Sequence, residues 1–474
     1  MSISPLRDSE PFSTATDDAL GNLDMVGLLE ELRNRRVSAP ELTQAARARA
    51  HNAQVLNAVV SSIPDGHSPG SPTGPFAGIP TFVKDNEDIA GMVTTMGSRA
   101  IPRVEAGHDS RFVTQFRELG FGALGKSTLP EFGLTATTEP LSTGPTRNPW
   151  NLDHSTGGSS GGSAALVAAQ VVPIAHANDG GGSVRIPASC CGLIGLKPTS
   201  GRIVLPESMD SLPIKFATQG VLTRTVRDTA AFYRELEELF PAPATMQPIG
   251  DVTGAGTKRL RIGLITGGPG GIPVAPDVIE ATVAAGAKCE QLGHSVEPIE
   301  FPFPIQFGHD FLRFWALLAA GLEVGGKRMF GPEFDKSQLE PFTLGLSQFF
   351  RSVAVRAPGS VVRLRNFTQQ YPRAFENYDV LLSPVLGHAP PQIGYLAPDI
   401  DAQQHMVRLL RYACFTAMHN IAGAPAISLP MGTSSDGMPI GAQFAAQFGE
   451  DRLLLELAYE LETATTFNPP HAAI

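Results

Sequence analysis

The sequence predicts an α/β fold in which helices cover both faces of a large central sheet. The first observation is an alternation along the chain. Short apolar runs bounded by Gly and Pro, typical of buried strands, are separated by amphipathic segments with helical spacing. The second is the composition, since 474 residues of which 42% are hydrophobic and only 17% are charged provide ample material for a core. Gly at 49 and Pro at 40 add a large amount of ordered loop.

The N-terminal part is predicted to be an arm followed by helices. Residues 1–22 are polar and acidic and are expected to form a loose arm. Apolar residues at helical spacing predict helices over 23–46, and Ser38 followed by Ala-Pro-Glu marks the start of the second one. Residues 64–75 are rich in Pro, Gly and Ser and predict a connection to the first strand.

The rest of the chain alternates between strand and helix. Strands are predicted in the runs GIPTFVKD, FGALGK, VVPIAHAND, LIGLKP, RIGLITG and YDVLLSPV. Helices are predicted over 111–119, 163–170 and 228–239, with a helix-rich stretch from about 275 to 375. Near the end, Asp436-Gly437 between two apolar runs predicts a β-hairpin. Because there is no internal repeat or linker, residues 23–466 are expected to form a single domain, followed by a tail over 467–474.

Charge and cysteine content exclude several classes of protein. A formal net charge of −10 without a dense Lys/Arg run argues against binding to nucleic acid or to an anionic membrane. The N-terminus lacks the apolar core of a signal peptide, and the longest apolar stretch, 164–177, is too short to span a membrane. The four cysteines show no zinc-type spacing, so no metal or other cofactor is expected. A cytoplasmic enzyme is the expected class.

A phosphate-loop motif is present in an unsuitable context. Residues 120–127, GFGALGKS, match G-x-x-x-x-G-K-[ST]. A phosphate loop needs a strand before its first Gly and a helix that begins at its Lys-Ser. Here a helical pattern precedes the motif, the apolar strand lies inside it, and Pro130 follows it. We therefore expect Lys126 to cap a strand end, with nucleotide binding as an alternative.

A nucleophile-elbow motif, G-x-S-x-G, is also present as Gly157-Gly-Ser-Ser-Gly161. That elbow needs a strand before it, and the preceding NPWNLDHST is turn-like. A Ser-His-Asp triad would also need a histidine, for which His388 and His405 are candidates without local support. A flexible linker is the other alternative, but an apolar run follows at once. The glycines are therefore expected to allow close approach of the backbone.

A third arrangement combines two serines, three glycines and a lysine. Three glycines, 180–182, precede Ser183, so that successive N–H groups can turn towards one point, the geometry of an oxyanion hole for acyl transfer. Upstream, Lys84 lies within the predicted strand GIPTFVKDN. A lysine in a strand is usually a surface charge, but beside two glycine-flanked serines a buried lysine can act as a proton acceptor.

Together these segments resemble the amidase signature family of serine hydrolases. The resemblance rests on GGSSGGSAALVAA, DGGGSVRIPASCCGLIGLKPTSGR and PFAGIPTFVKDN, and motifs such as TRNPWN and GVLTRTVRD extend it over nearly the whole chain. It implies a mixed, mainly parallel sheet, a signature core at about 76–225 and a variable, substrate-binding helical region at about 275–375. Within the family, the chain is most similar to bacterial amidases related to 6-aminohexanoate cyclic-dimer hydrolase. Dimers are common in the family, so a homodimer is one expected assembly.

The resemblance also implies the site, residue by residue. The family's catalytic lysine falls on Lys84, its bridging serine on Ser159 and its nucleophile on Ser183. The family's cis peptide bond falls between Gly158 and Ser159. The implied oxyanion donors are the N–H groups of Gly180, Gly181, Gly182 and Ser183. The implied supporting residues are Gly158, Ser160, Asp179 and Arg185. The last two flank the glycine turn, and we expect them to brace it rather than to bind substrate.

The implied reaction is hydrolysis of a small amide through an acyl-enzyme, in which Lys84 must be neutral at rest. Three carboxylates, Asp85, Glu87 and Asp88, follow it at once and would raise its pKa. We expect strand alternation to turn Asp85 away and the face shared with Phe82 to be dry. Activity should then rise with pH on the alkaline side of neutrality.

The substrate is left open by the sequence. Many family members carry a larger residue, often Thr, at the position of Gly180. The apolar run Phe311, Phe314, Trp315, Leu317 and Leu318 predicts either a core stripe or the wall of a pocket for an aliphatic or aryl acyl group. Alternative activities are hydrolysis of cyclic or linear 6-aminohexanoate-type oligoamides or of aryl amides and esters. An amidotransferase subunit that acts with partner chains on charged tRNA is a further alternative, for which the chain lacks a basic surface.

Overall fold

An eight-stranded mixed sheet organises the structure, a computed structural model that describes residues 11–64, 69–210, 212–465 and 467. In chain order the strands are β1 (Val59–Ser62), β2 (Pro80–Lys84), β3 (Gly122–Ser127), β4 (Arg147–Asn148), β5 (Asn151–Ser155), β6 (Ile174–Asp179), β7 (Ile194–Lys197), β8 (Thr218–Thr223), β9 (Arg261–Leu264), β10 (Ser295–Pro298), β11 (Val380–Pro384), β12 (Ala426–Thr433) and β13 (Pro439–Ala445). The large sheet has the order β10-β9-β11-β13-β12-β7-β8-β6. A three-stranded sheet has the order β1-β3-β2, and β4 pairs with β5.

The large sheet is mixed, as expected, but the expectation that it is mainly parallel is wrong. Only the pairs β10–β9 and β9–β11 are parallel, whereas the other five pairs are antiparallel. The reason is insertion of later strands. β8 lies between β6 and β7, and β13 lies between β11 and β12, each antiparallel to both neighbours. Alternation along the sequence indicates strands separated by helices but not which strand will pair between them.

Helices pack around this sheet and include all those predicted. They are α1 (Met25–Arg33), α2 (Ala39–Asn52), α3 (Arg111–Glu118), α4 (Gly161–Ala168), α5 (Arg185–Cys191), α6 (Val226–Leu239), α7 (Pro276–Gln291), α8 (Gln306–Phe330), α9 (Pro341–Val353), α10 (Ala357–Gln370), α11 (Ala402–Tyr412), α12 (Ala417–Ala422) and α13 (Asp451–Thr465). A capping box between Ser38 and Glu41 begins α2 at the predicted place. Within the described ranges, no helix has both the length and the apolar character needed to cross a membrane.

The N-terminal residues that the structure describes do not form a loose arm. The N–H of Phe12 donates to Pro149 O at 2.6 Å, and Asp18 accepts from the buried Arg49 in an ion pair of 2.6 Å. Leu20 is buried in the core. Polar composition therefore misled the prediction, because specific polar contacts hold this segment. Residues 1–10 and the predicted tail beyond position 467 lie outside the described residues, and the single-domain division stays a prediction.

The ends of three elements converge to form the site. Lys84 ends β2, Asp179 ends β6, and Gly161 begins α4. These three elements contact one another, and α4 is buried along its whole length. The serine-rich turn before α4 and the glycine turn after β6 therefore meet at the end of β2.

Candidate active site

Lys84 joins the serine-rich turn to β6 through its amine. Its side chain is almost fully buried, with 1% of the residue surface exposed. The Nζ atom lies 2.7 Å from Ser159 Oγ, 3.0 Å from Ser160 Oγ and 2.6 Å from Asn178 Oδ1. The peptide bond between Gly158 and Ser159 is cis, as the resemblance implies. The predicted lysine and bridging serine are therefore within hydrogen-bond distance of each other.

Burial changes the charge of Lys84. Removal from water lowers the pKa of its amine to about 7, although the carboxylates of Asp179 and Glu87 act in the opposite direction. A free lysine titrates near pH 10.4, and the buried one thus has a large neutral fraction near neutral pH. A neutral amine offers a lone pair, which makes this residue a competent proton acceptor.

The carboxylate that follows Lys84 points away from it. Asp85 forms an ion pair of 3.3 Å with Lys126 of the neighbouring strand β3, and both side chains are fully buried. It also accepts hydrogen bonds from the N–H and the hydroxyl of Thr95. Phe82, on the same strand face as Lys84, is buried as well. The expectation of a diverted carboxylate is confirmed, and that of a dry face stays a prediction.

Asp179 and Arg185 brace the glycine turn. The guanidinium of Arg185 is fully buried and all five of its N–H groups donate within the protein, two to Asp179 and the others to Asn420, Thr416 and Gln443. Burial alone would raise the pKa of Asp179, but Arg185 and Asn420 hold it far below its usual range. No donor of Arg185 is left for a substrate, and these hydrogen bonds support the expected bracing role.

The glycine turn supplies fewer oxyanion donors than predicted. The N–H of Gly182 donates to Asp179 Oδ1 at 2.7 Å, so the prediction that it points at a substrate oxygen is wrong. The carboxylate of Asp179 accepts from backbone N–H groups of the glycine turn, and the N–H of Gly182 is one of them. The N–H groups of Gly180, Gly181 and Ser183 have no protein acceptor among the described residues, and they remain candidate oxyanion donors.

A pocket opens beside Ser183. Together with the open solvent at its mouth it has a volume of about 560 Å³, and it is lined by Ser183, by Gly158 of the serine turn and by Gly181 of the glycine turn. Phe311 and Trp315 of α8 also line it, whereas Phe314, from the same predicted stripe, is buried in the core. The stripe therefore serves both predicted purposes. A cavity with a serine at its edge and backbone N–H groups beside it suits attack on a carbonyl compound.

Comparison with known proteins decides the family. The amidase family profile matches residues 41–455. The chain belongs to the amidase signature family. It is therefore a hydrolase that acts on amide bonds.

The amidase is similar to known amidases and amide hydrolases over nearly its whole length. It is 46% identical over 454 residues to AmiC of Mycobacterium leprae, which is named as an amidase, covering 94% of this chain and 96% of that one. It is 37% identical to the 6-aminohexanoate-cyclic-dimer hydrolase of Pseudomonas sp. strain NK87, covering 93% and 94%. A solved structure of 6-aminohexanoate cyclic dimer hydrolase superposes with a TM-score of 0.84 at 33% identity, covering 96% and 99%. The expected resemblance is thus confirmed.

Asn178 is a site residue of the amidase that sequence analysis missed. Its Oδ1 is one of the three atoms around Lys84 Nζ. Two residues earlier on β6, His176 Nδ1 accepts from the N–H of Lys84 at 3.1 Å, and burial lowers the pKa of this histidine to about 3. His176 and Asn178 are two positions apart in an otherwise apolar strand, and this spacing was the indication that they share one face. They face β2 because β6 contacts it directly.

Neither a phosphate loop nor a Ser-His-Asp triad forms from the two alternative motifs, although Ser159 of the second one lies in the candidate site. The segment GFGALGKS consists largely of strand β3, and Lys126 is buried in its ion pair rather than capping the strand end, which corrects that prediction. His405 stacks on Phe342 and shares a hydrogen bond with Thr135. His388 contacts Ala389 O through Nδ1. In the described part of the chain, neither histidine is hydrogen-bonded to Ser159 or Ser183.

Proposed function

We propose that this amidase hydrolyses a small carboxylic amide to an acid and an amine through an acyl-enzyme on Ser183. Lys84 and Ser159 would relay the proton. The observation that carries the proposal is the 2.7 Å contact between Lys84 Nζ and Ser159 Oγ, next to a pocket that Gly158 and Ser183 both line. Its chemical support is the pKa of Lys84, lowered by burial to about 7.

The partners of Lys84 favour proton transfer from Ser159. A neutral amine has two N–H groups and one lone pair. Asn178 Oδ1, at 2.6 Å, can only accept a hydrogen bond. Ser160 Oγ donates to Asn178 O at 3.3 Å, so it too is an acceptor towards the amine. Both N–H groups are then used, and the lone pair is directed at the hydroxyl of Ser159.

The reaction follows from this direction. Ser183 Oγ attacks the carbonyl carbon while its proton moves to Ser159, whose own proton moves to Lys84. The N–H groups of Gly180, Gly181 and Ser183 would stabilise the negative oxygen of the tetrahedral intermediate. Lys84 then returns a proton through Ser159 to the departing amine as the C–N bond breaks. Water attacks the acyl-enzyme by the same relay, releasing the acid and restoring the hydroxyl of Ser183.

The experiment is hydrolysis of simple p-nitroanilides and p-nitrophenyl esters by the purified full chain. We expect Ser183→Ala to abolish turnover and Lys84→Met to lower kcat by several orders of magnitude. Ser352→Ala, at an exposed serine, is the matched control and should be unchanged. Mass spectrometry of the enzyme quenched with an ester should find one acyl group on Ser183. Full activity in Ser183→Ala would overturn the proposal, and so would turnover that depends on His405 but not on Lys84.

A second candidate substrate is a cyclic or linear 6-aminohexanoate oligoamide. The observation that favours it is the similarity to 6-aminohexanoate-cyclic-dimer hydrolase over 93% of the chain. Release of new amino groups from the cyclic dimer, measured with wild type and Ser183→Ala, tests it. Turnover of anilides without any turnover of the cyclic dimer would rule this candidate out.

A further inference from the structure

The pocket beside Ser183 contains no charged side chain among the described residues that line it. Its walls are aliphatic and aromatic, with Leu134, Ile186, Phe311 and Trp315 among them. The polar side chains on the wall are the hydroxyls of Ser183 and Thr135. The latter shares a hydrogen bond of 2.8 Å with His405, and burial lowers the pKa of that histidine to about 4, so it is neutral at physiological pH.

Trp315 forms a rigid part of this wall. Its indole Nε1 donates to Leu134 O at 2.9 Å, which ties α8 to another segment that lines the pocket. The ring stacks on Phe311 with centroids 5.3 Å apart, and Phe216 meets it edge-on at 5.9 Å. A ring held on three sides has lost its rotamer freedom already, so binding an apolar group against it costs little further entropy.

The aromatic wall lies directly against the glycine turn. A Cβ atom on Gly181 would lie 3.4 Å from Phe311 Cζ and 3.8 Å from Trp315. A Cβ on Gly180 would lie 2.9 Å from Phe216 Cε2 and 3.7 Å from Trp315. The two glycines thus let the rings approach the backbone that carries the candidate oxyanion donors. A carbonyl compound whose oxygen meets these donors would therefore bring a substituent close to these rings.

We propose that this pocket selects substrates whose group next to the scissile bond is uncharged and apolar, either an aryl ring or an unbranched aliphatic chain, with Trp315 as the specificity-determining residue. The inference rests on the proposed function of Ser183. Its physical basis is that burial in this pocket has opposite effects on apolar and on charged groups. Apolar atoms gain from burial against the rings, whereas an ammonium or carboxylate would be buried with no partner of opposite charge.

The test is a pair of substrate series assayed with the wild-type full chain. In the acyl series, acetyl, butyryl, hexanoyl, 6-aminohexanoyl and adipoyl p-nitroanilides are compared; in the amine series, acetamides of increasing N-alkyl length. We expect kcat/KM to rise in at least one series, with an upper limit of about fourfold per methylene. The 6-aminohexanoyl and adipoyl substrates should be slower than the hexanoyl one by roughly 100-fold or more, because they bury an unpaired charge. Flat profiles in both series, or a preference for a charged end, would overturn the inference.

Variants separate the pocket from the chemistry. Trp315→Ala should reduce the ratio of hexanoyl to acetyl kcat/KM at least fivefold. Phe330→Ala, on the same helix but outside the pocket lining, is the matched control and should keep the ratio. Suppose that acetyl turnover is lost in Ser183→Ala but the hexanoyl-to-acetyl ratio is unchanged in a folded Trp315→Ala variant. The specificity inference is then overturned, while the proposed function of Ser183 stands. If no substrate shows turnover that depends on Ser183, the proposed function fails, and this inference fails with it.

Discussion

The carboxylate of Asp85 pairs with Lys126 on the neighbouring strand and not with Lys84, the residue before it in the chain. Lys126 also donates to Thr94 Oγ1 at 2.6 Å and to Val93 O at 3.1 Å, so its ammonium is fully used on that side of β2. Strand alternation thus separates two buried lysines that face opposite ways. One stays paired with a carboxylate, and the other loses part of its charge by burial.

Removing one partner of this ion pair should destabilise the protein. Lys126→Met leaves Asp85 buried without a counter-ion, and we expect the free energy of unfolding to fall by about 3–5 kcal/mol. Denaturant titration measures it. The double variant Asp85→Asn/Lys126→Met removes both charges and should recover most of the loss. A single variant that costs less than about 1 kcal/mol would contradict the pairing.

Asn178→Asp should shift the pH dependence of the amidase. The substitution places a carboxylate within hydrogen-bond distance of Lys84, which favours the ammonium and raises the pKa of that lysine by about 1–3 units. Because activity needs the neutral amine, the rise of kcat/KM with pH, expected near 7 in wild type, should move upward by the same amount. The measurement is the pH profile of kcat/KM.

Asn178→Ala is the control for this shift. It removes the same hydrogen bond without adding a charge. The maximal kcat/KM of Asn178→Ala should therefore fall, but its kcat/KM should rise at a lower pH than that of Asn178→Asp. If the Asp and Ala variants titrate at the same pH, Lys84 is not the group whose deprotonation activates the enzyme.

Lys84 should also make stability depend on pH in a defined direction. Burial lowers its pKa in the folded state to about 7 from the ordinary lysine value of 10.5. Between these values the unfolded chain binds a proton that the folded chain does not, so the contribution of this residue to stability becomes more favourable as pH rises from 7 to 10.5 and is constant below that interval. Relative to Lys84→Met, wild type should gain on the order of 3–5 kcal/mol across the interval.

The readout is the difference in unfolding free energy between wild type and Lys84→Met at several pH values. Taking a difference cancels the other groups that titrate. Lys327→Met, at an exposed lysine, is the control substitution. A wild-type minus Lys84→Met difference that is flat from pH 7 to 10.5 would mean that Lys84 is charged in the folded state.

Local sequence patterns predicted what depends on neighbours in the chain. The Asp436-Gly437 turn joins β12 and β13 as expected, and resemblance located the contact between Lys84 and Ser159. What failed depends on residues distant in sequence. Which strands pair around β8 and β13 is decided by packing of the whole sheet. The loss of the Gly182 donor follows from where the side chain of Asp179 lies, which no spacing rule gives.

Gly180 and Phe216 should be coupled. Gly180 has no positive φ, so a side chain there is opposed by its neighbours rather than by its backbone conformation. Its Cβ would lie 2.9 Å from the ring of Phe216, closer than real contacts allow. Gly180→Ala should therefore cost about 1–3 kcal/mol of stability by overpacking. It should also lower kcat/KM for hexanoyl p-nitroanilide, because a displaced Phe216 ring would press on Trp315, which lines the pocket.

A double-mutant cycle tests this coupling. Phe216→Leu shortens the side chain that Gly180→Ala would meet, so the double variant should be more stable than the sum of the single effects allows, with a coupling energy of about 0.5–3 kcal/mol. Gly107→Ala is the control, because nothing lies within 4 Å of a Cβ at that position. Combined with Phe216→Leu, it should give additive effects. Additivity in the Gly180 cycle as well would show that Phe216 does not occupy the space that a side chain at position 180 needs.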